Sequence, residues 1–375
     1  MYIFRELIRL NIIGEGAYVS MFENTEEAKV QIRTRTSKII GGYVTENLFL
    51  HEYRNLYPGR AYSKGWWGGI EKSKDKLLTF FVVKDKLNDL DYRVINRLQE
   101  HGYCWKQLTC VNNQWYVKDF ASSRTIEEYV RARELEQSHD PNRIYPQITD
   151  DPCLDNCIEV YERDGMLQEI ASSIYIENHF LNVYFTISNI DLICENSEGI
   201  PVYVEIKFKN EFSKKDAKGI KRLVFGIDVF QYDNLFTSFI NCGMQVQNTV
   251  LYNDVKIEQN TSTTVIFDFL RVKNNQELIW KNTLISLSEG YEKHSFNNGY
   301  TSWYGEGGRT VYCIPLKKYL DFGTYSLSKE LQKRFPEGAW GICSECDEAK
   351  VIRANSSNGE EFIGCLGYSN HSKYK

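Results

Sequence analysis

The stretch that most limits what this chain can become is residues 189–209. Its second half alternates. Val202, Val204, Ile206 and Phe208 share one face, and Tyr203, Glu205, Lys207 and Lys209 share the other. That period predicts a strand. Before it lie the turn formers Asn196, Ser197 and Gly199, and before those a short apolar run, Leu192–Cys194, opened by Asp191. The whole stretch reads as a β-hairpin. Glu205 and Lys207 then leave the same side of the strand, and Asp191 reaches that side from the partner strand. Carboxylate oxygens suit Mg²⁺, which keeps several waters and binds phosphate oxygens. The metal acidifies a bound water and offsets charge building on the phosphate. A lysine beside it can orient the water or stabilise an oxyanion. The plain alternative is a solvated strand face of alternating charge.

Asp191, thirteen intervening residues, then Glu205-Ile206-Lys207 resembles the PD-(D/E)XK nuclease superfamily, with Ile190 where the family usually has proline. The resemblance implies an α/β fold with a restriction-endonuclease-like αβββαβ core over residues 153–335, extended at its C-terminal side. It also implies Mg²⁺ held by Asp191 and Glu205, and water positioned by Lys207. Upstream, Leu167, Ile170, Ala171 and Ile174 recur at helical spacing. Gly165 and Glu169 resemble the superfamily's Gly-x-x-x-Glu helix start, whose glutamate adds a carboxylate to the site. The ordinary reading of Glu169 is a first-turn acid favoured by the helix dipole. Downstream, residues 216–241 read as one long helix with an apolar stripe of Ile220, Val224, Ile227 and Leu235. Gln231 falls on that stripe, and in branches of the superfamily a glutamine here faces the active site. Strands are expected at 181–188, 246–252 and 263–272, and a long loop at 297–309.

Residues 336–375 carry a second signal, opened by a joint at Pro336–Gly338. Cys343 and Cys346, eighteen residues, then Cys365 and His371 have zinc-ribbon spacing. Phe362, Gly364, Cys365 and Tyr368 resemble the C-terminal zinc fingers of type IA topoisomerases, with Ser369 in place of a proline and His371 in place of the last cysteine. That implies a structural Zn²⁺ on Cys343, Cys346, Cys365 and His371. It also implies single-stranded DNA contact through Lys350, Arg353 and Lys373.

The remainder, residues 1–140, is expected to be a mixed α+β accessory or recognition domain. A strand is expected at 77–83, a helix at 89–100, a hairpin at 105–117 turning at Asn112-Asn113, and a charged helix at 125–136. Pro141, Pro146 and Pro152, three of seven prolines, suggest a linker. Residues 53–67 mix aromatics with the bases Arg54, Arg60 and Lys64, which suits either stacking and phosphate contacts or surface aromatics packed by arginine stems. Cys153 and Cys157 read as packing. The net charge of −5 gives no global basic footprint, so nucleic-acid binding rests on local patches. Between Glu205 and Arg222, seven bases face three acids. The N-terminus lacks a secretory pattern, no apolar run nears the length of a membrane span, and ten cysteines point to a reducing, cytoplasmic setting. The sequence therefore predicts a Mg²⁺-dependent DNA endonuclease in restriction, phage defence or repair. A non-catalytic DNA-binding protein on a degenerate nuclease fold and an RNA-directed nuclease stay open. So does a homodimer, since many nucleases of this type pair subunits.

Overall fold

The computed structural model describes residues 21–22, 24–35, 37–72, 77–163, 166–208, 211–252, 279–295, 310–321, 343, 345–346 and 348–371. Two units divide these. Residues up to Ile206, with Ser238–Gln245, form the first; Lys207–Thr237 and the described residues from Val246 onward form the second.

The first unit opens with helices α1 (Thr25–Ile32) and α2 (Ser37–Leu56). Strands β1 (Tyr62–Ser63), β2 (Trp66–Glu71) and β3 (Leu78–Val83) follow. Helix α3 (Asp89–Glu100) starts at a capping box in which Asn88 and Asp91 satisfy each other's backbone N–H groups. It buries Leu90, Val94, Ile95 and Leu98, the apolar set its spacing predicts. Strands β4 (Cys104–Val111) and β5 (Gln114–Lys118) form the expected hairpin, and Asn112 and Asn113 take the left-handed backbone that a two-residue turn requires. Strand β6 (Ser123–Thr125) leads into α4 (Ile126–Arg133), also started by a capping box. Residues 138–151 contain no regular element and run within the first unit. Backbone bonds from Ser138 to Val183 and from Ile148 to Arg33 tie them down, both 2.9 Å.

Helices α5 (Pro152–Arg163) and α6 (Leu167–Ile176) come next, and Cys157 is buried on α5. Helical structure continues through a π turn at Glu177–Leu181 to Tyr184, so β7 (Phe185–Ile190) starts later than 181. Strands β8 (Leu192–Glu195) and β9 (Pro201–Phe208) are the predicted hairpin, with Leu192 opposite Val204 and Glu195 opposite Pro201.

Strand pairing gives this unit its distinctive feature. β6, β5, β4, β3, β2 and β7 form one sheet in that order. Its core includes Trp67, Phe81, Leu108, Trp115, Phe180 and Phe185, each worth about 1.5–3 kcal/mol when fully buried. β8 does not pair with β7: it pairs with β1 on one side and β9 on the other. So β7 lies in one sheet and β8–β9 in another, and the expected three-strand run is split between them. Trp66 faces Ile190 in the first sheet and Ser63 faces Ile193 in the second. Two chain segments therefore change sheets side by side, one at Lys64-Gly65 and the other at Asp191.

In the second unit, β10 (Phe212–Lys215) and β11 (Lys221–Asp228) replace the first half of the helix expected at 216–241. The reason is local. Asp216 accepts the backbone N–H groups of Lys218 and Ile220, both at 2.9 Å, and Gly219 takes φ +77°, which closes a tight turn. After it Leu223, Phe225 and Ile227 alternate and are buried, a period of two hidden among residues that also fit a helical stripe. Only the second half is helical: a π segment, Gln231–Phe236, then α7 (Thr237–Asn241). Strand β12 (Gln245–Tyr252), the expected 246–252 strand, pairs with β13 (Ile279–Leu284). Strands β14 (Glu292–Ser295) and β15 (Thr310–Pro315) complete a sheet ordered β10, β11, β15, β14. Strand β16 (Leu320–Asp321) pairs with β13, and β17 (Lys350–Ala354) with β18 (Glu361–Cys365). The molecule is thus a mixed α/β protein. Among the described residues no helix is long and apolar enough to cross a membrane. The N-terminal segment, Gly165, Lys209, the strand expected at 263–272, the loop at 297–309, Pro336–Gly338 and Lys373 lie outside the described residues.

Candidate metal centres

Asp191 is the corner residue between β7 and β8, and it is 2% exposed. Its Oδ2 accepts the backbone N–H of Ile206 at 2.7 Å and its Oδ1 accepts from the Asn189 amide at 2.9 Å. Those bonds aim it across the hairpin at the residue next to Glu205. Glu205 is 1% exposed and accepts a 2.7 Å bond from the Tyr203 hydroxyl. Burial, then the negative charges of Glu205 and Asp191, push the Tyr203 phenol well above its ordinary value, so it stays a donor. The solvated strand face weighed from the sequence is therefore not what forms. β9 is buried on both sides from Val202 to Ile206, Glu205 included, and Asp191 is buried at the adjoining corner.

A cavity of about 40 Å³ opens at the corner, lined by Glu46, Lys64, Trp66, Glu169, Asn189 and Asp191 among others. That is room for an ion with one or two waters. Glu169, in the first turn of α6, has its carboxyl pushed up to about 8 by burial, against the pull of the Lys64 charge. Glu46 comes from α2, and its Oε2 lies 3.7 Å from the Lys64 ammonium. Sequence reading missed Glu46, and it took in Lys64 only as one base of the aromatic and basic stretch 53–67. A hint existed for Lys64: Lys64-Gly65 breaks the run that leads to Trp66 and Trp67. For Glu46 there was none. The aromatic and basic residues of 53–67 pack against each other. Trp66 and Trp67 are buried, and Arg60 sits over the Tyr57 ring at 4.2 Å.

Lys207 follows two residues after Glu205 on β9, half-buried, and belongs to the second unit. Gln231, also of the second unit, is buried at the start of the π segment. The carboxylate donors of the corner are hard oxygens of the kind Mg²⁺ takes, and Mg²⁺ tolerates few protein ligands because it keeps its waters. They do not close into a tight cage. Among the described residues only one group of three or more potential ligands brings its atoms within 4.8 Å of one another, and it lies elsewhere.

That group is Cys343, Cys346, Cys365 and His371. Cys343 Sγ and Cys346 Sγ each lie 3.3 Å from His371 Nε2, and Cys346 Sγ lies 3.2 Å from Cys365 Sγ, far beyond a disulfide. His371 Nδ1 faces Glu345 Oε2 at 3.5 Å, which leaves Nε2 for a metal. Burial opposes ionisation of Cys343, but the Glu345 N–H, the Cys365 and Cys346 thiols and the Cys346 N–H together outweigh it and lower its thiol. Burial pushes the Cys365 thiol up to about 12, even though it accepts the Gly367 N–H. A Cβ at position 367 would lie 2.6 Å from the Glu348 side chain, so only glycine fits beside the ligands. Three sulfurs and an imidazole can hold a metal ion such as zinc.

The ribbon is docked on β11. Arg222 donates to Gly359 O at 2.9 Å and pairs with Glu361, Lys221 pairs with Glu360, and Glu361 accepts the Leu223 N–H. Several cations that the sequence offered to a phosphate backbone are thus engaged. Lys214 pairs with Glu292, and Arg353 donates to Cys365 O and stacks on Tyr368 at 4.6 Å. Lys215 and Lys218 remain exposed on the β10–β11 turn. The chain was compared with protein-family models, with curated proteins and with solved structures, and nothing matched in any of the three.

Proposed function

We propose that the protein is a Mg²⁺-dependent nuclease that hydrolyses phosphodiester bonds in DNA, on a core related to the PD-(D/E)XK nucleases. The observation that carries this reading is the burial of Asp191 and Glu205 on one hairpin, beside a corner cavity lined by two more carboxylates. Buried carboxylates are costly unless partners or a metal offset them. A cavity this small admits an ion and water, not an apolar ligand. In this reading Asp191 and Glu205, helped by Glu169, hold the metal. When bound, Mg²⁺ supplies Lewis-acid charge at the scissile phosphate and a more acidic water. Lys207 orients that water, and Gln231 assists. The ribbon holds Zn²⁺ and, with the exposed lysines of the β10–β11 turn, contacts the nucleic-acid backbone.

Incubation of the protein with duplex DNA, single-stranded DNA and RNA, with and without Mg²⁺, tests it. Metal-dependent cleavage of DNA that Glu205→Gln removes is the expected result. Cleavage of RNA alone reassigns the substrate. DNA binding with no cleavage under any metal sinks the catalytic reading.

A further inference from the structure

We infer that a second site, on the sheet that runs from β6 to β7 in the first unit, binds the phosphomonoester of a sugar-sized group. That group can be a free molecule or the 5′ end of a nucleic-acid strand. This site stands whether or not the corner cleaves phosphodiesters. A cavity of about 200 Å³ opens there, against about 40 Å³ at the corner. Lys106, Val117, Asp119, Arg124, Tyr129 and Arg133 are among its lining residues. Strand register explains the mixture. Leu108 stands opposite Val117 and Val117 opposite Arg124, and Lys106, two positions before Leu108, shares their face. Leu108 and Val117 belong to the core, and Tyr129 of α4 packs with them. The apolar face thus gives way to charge at Lys106 and Arg124, and the end of α4 adds Arg133.

Three cations from three elements therefore line one cavity. Lys106 donates to Asp119, and Arg133 donates to Glu71 at 2.6 Å. Among the described residues neither has another hydrogen-bond partner, so both keep donors for a ligand. Arg124 is exposed and pairs with no acid among the described residues. The one acid in the lining, Asp119, is already engaged: besides Lys106 it accepts the N–H groups of Ala121 and Ser122, at 2.9 and 2.8 Å, and the Ser122 hydroxyl. A phosphomonoester offers three acceptor oxygens, one for each cation, and about −1.5 to −2 charges at pH 7. A carboxylate offers two oxygens and one charge. The forked guanidinium of arginine suits phosphate in particular. The cavity is smaller than the roughly 300 Å³ at which drug-sized pockets begin. It suits a phosphate and the one sugar that carries it, with the sugar carbons against Val117 and Tyr129.

The test is calorimetry on the full chain without Mg²⁺, with four probes: ribose 5-phosphate, ribose, and a short single-stranded DNA with and without a 5′-phosphate. Ribose 5-phosphate should bind saturably and ribose should not. Arg124→Ala should weaken that binding about tenfold or more, and Arg124→Glu should abolish it. Both variants should keep the parent melting temperature, because Arg124 is exposed and supports no acid among the described residues. Arg133→Lys, which keeps the charge and loses the fork, should weaken binding less than Arg124→Glu. A phosphorylated strand that binds more tightly than both its 5′-hydroxyl twin and ribose 5-phosphate identifies the ligand as a strand end. A strand indifferent to its 5′-phosphate, beside tight ribose 5-phosphate, identifies a free molecule. Two results overturn the site. One is that neither phosphorylated probe binds better than its phosphate-free counterpart. The other is phosphate-dependent binding that Arg124→Glu leaves intact, which puts the phosphate elsewhere on the protein.

Discussion

The ribbon and the corner are built in opposite ways. The ribbon draws its four ligands from one short window, with Cys343 and His371 only 28 positions apart. The corner draws on α2, the β1–β2 crossing, α6, the β7–β8 crossing and β9, a span from Glu46 to Glu205. The ribbon is too short to bury much apolar surface by itself, so a metal on its four ligands would add to its order. The corner is held by two sheets and a large apolar core. The ribbon's donors are gathered by chain spacing, while the corner's carboxylates are gathered by the fold around them.

The sharpest break between the two comes from removing ligands. A Cys343→Ser/Cys346→Ser variant, or the intact protein treated with a chelator, should lose about one zinc per chain and the protection of residues 349–365. Structural zinc is worth on the order of 10 kcal/mol in small domains. Elemental analysis and amide exchange read both, and zinc retained by the double variant would refute the ligand set. Mn²⁺ affinity at the corner should not change.

The converse experiment leaves the ribbon alone. Glu205→Gln and Asp191→Asn should each cut DNA cleavage by about 10³-fold or more, several kcal/mol of lost transition-state stabilisation, with zinc content and DNA binding kept. Asparagine is preferred to alanine because Asp191 also accepts the buried Ile206 N–H. Cleavage near the wild-type rate would remove these residues from the site.

A smaller effect tests the ribbon's docking. Arg222→Ala removes the bonds to Gly359 and Glu361, a cost of about 1–3 kcal/mol. Amide exchange in residues 350–365 should speed up with zinc still bound. Unchanged exchange would mean that the metal alone orders the ribbon.

A further expected effect is one of pH. Burial raises Glu169 to about 8, so the metal-free folded protein keeps a proton there that the unfolded chain releases near the ordinary glutamate value of 4.5. Stability should therefore fall as pH rises from about 4.5 to about 8, where the folded state binds more protons. Glu169→Gln should flatten that slope in a melting series. An unaltered slope would place the titration on another group.

How legible each part was follows from the range of the interactions that make it. The ribbon and its four ligands could be read because their geometry is set by spacing along the chain. The β8–β9 hairpin, α3 and the Asn112-Asn113 turn could be read for the same reason. Helix 216–241 could not: Ile220, Val224 and Ile227 fit a helical stripe while Leu223, Phe225 and Ile227 fit a strand, and the Asp216–Gly219 turn decides between them. Pairing of β7 with β2 rather than β8 depends on residues more than a hundred positions away. Glu46 is invisible in sequence because nothing near it announces a site, and Lys64 shows only as one base in an aromatic stretch.

The docking of the ribbon on β11 also sets an order of events during synthesis. Arg222 finds Gly359 only after 137 further positions have been added. At about 5–20 residues per second, the β10–β11 hairpin waits several seconds or more on the ribosome with Arg222 held only by Asp216 and the Leu223 N–H without Glu361. Its lysine-bearing turn is then beside a polyanionic ribosomal surface. A nascent chain stalled before residue 359 therefore presents that edge to chaperones, and the last strand of the ribbon is what withdraws it.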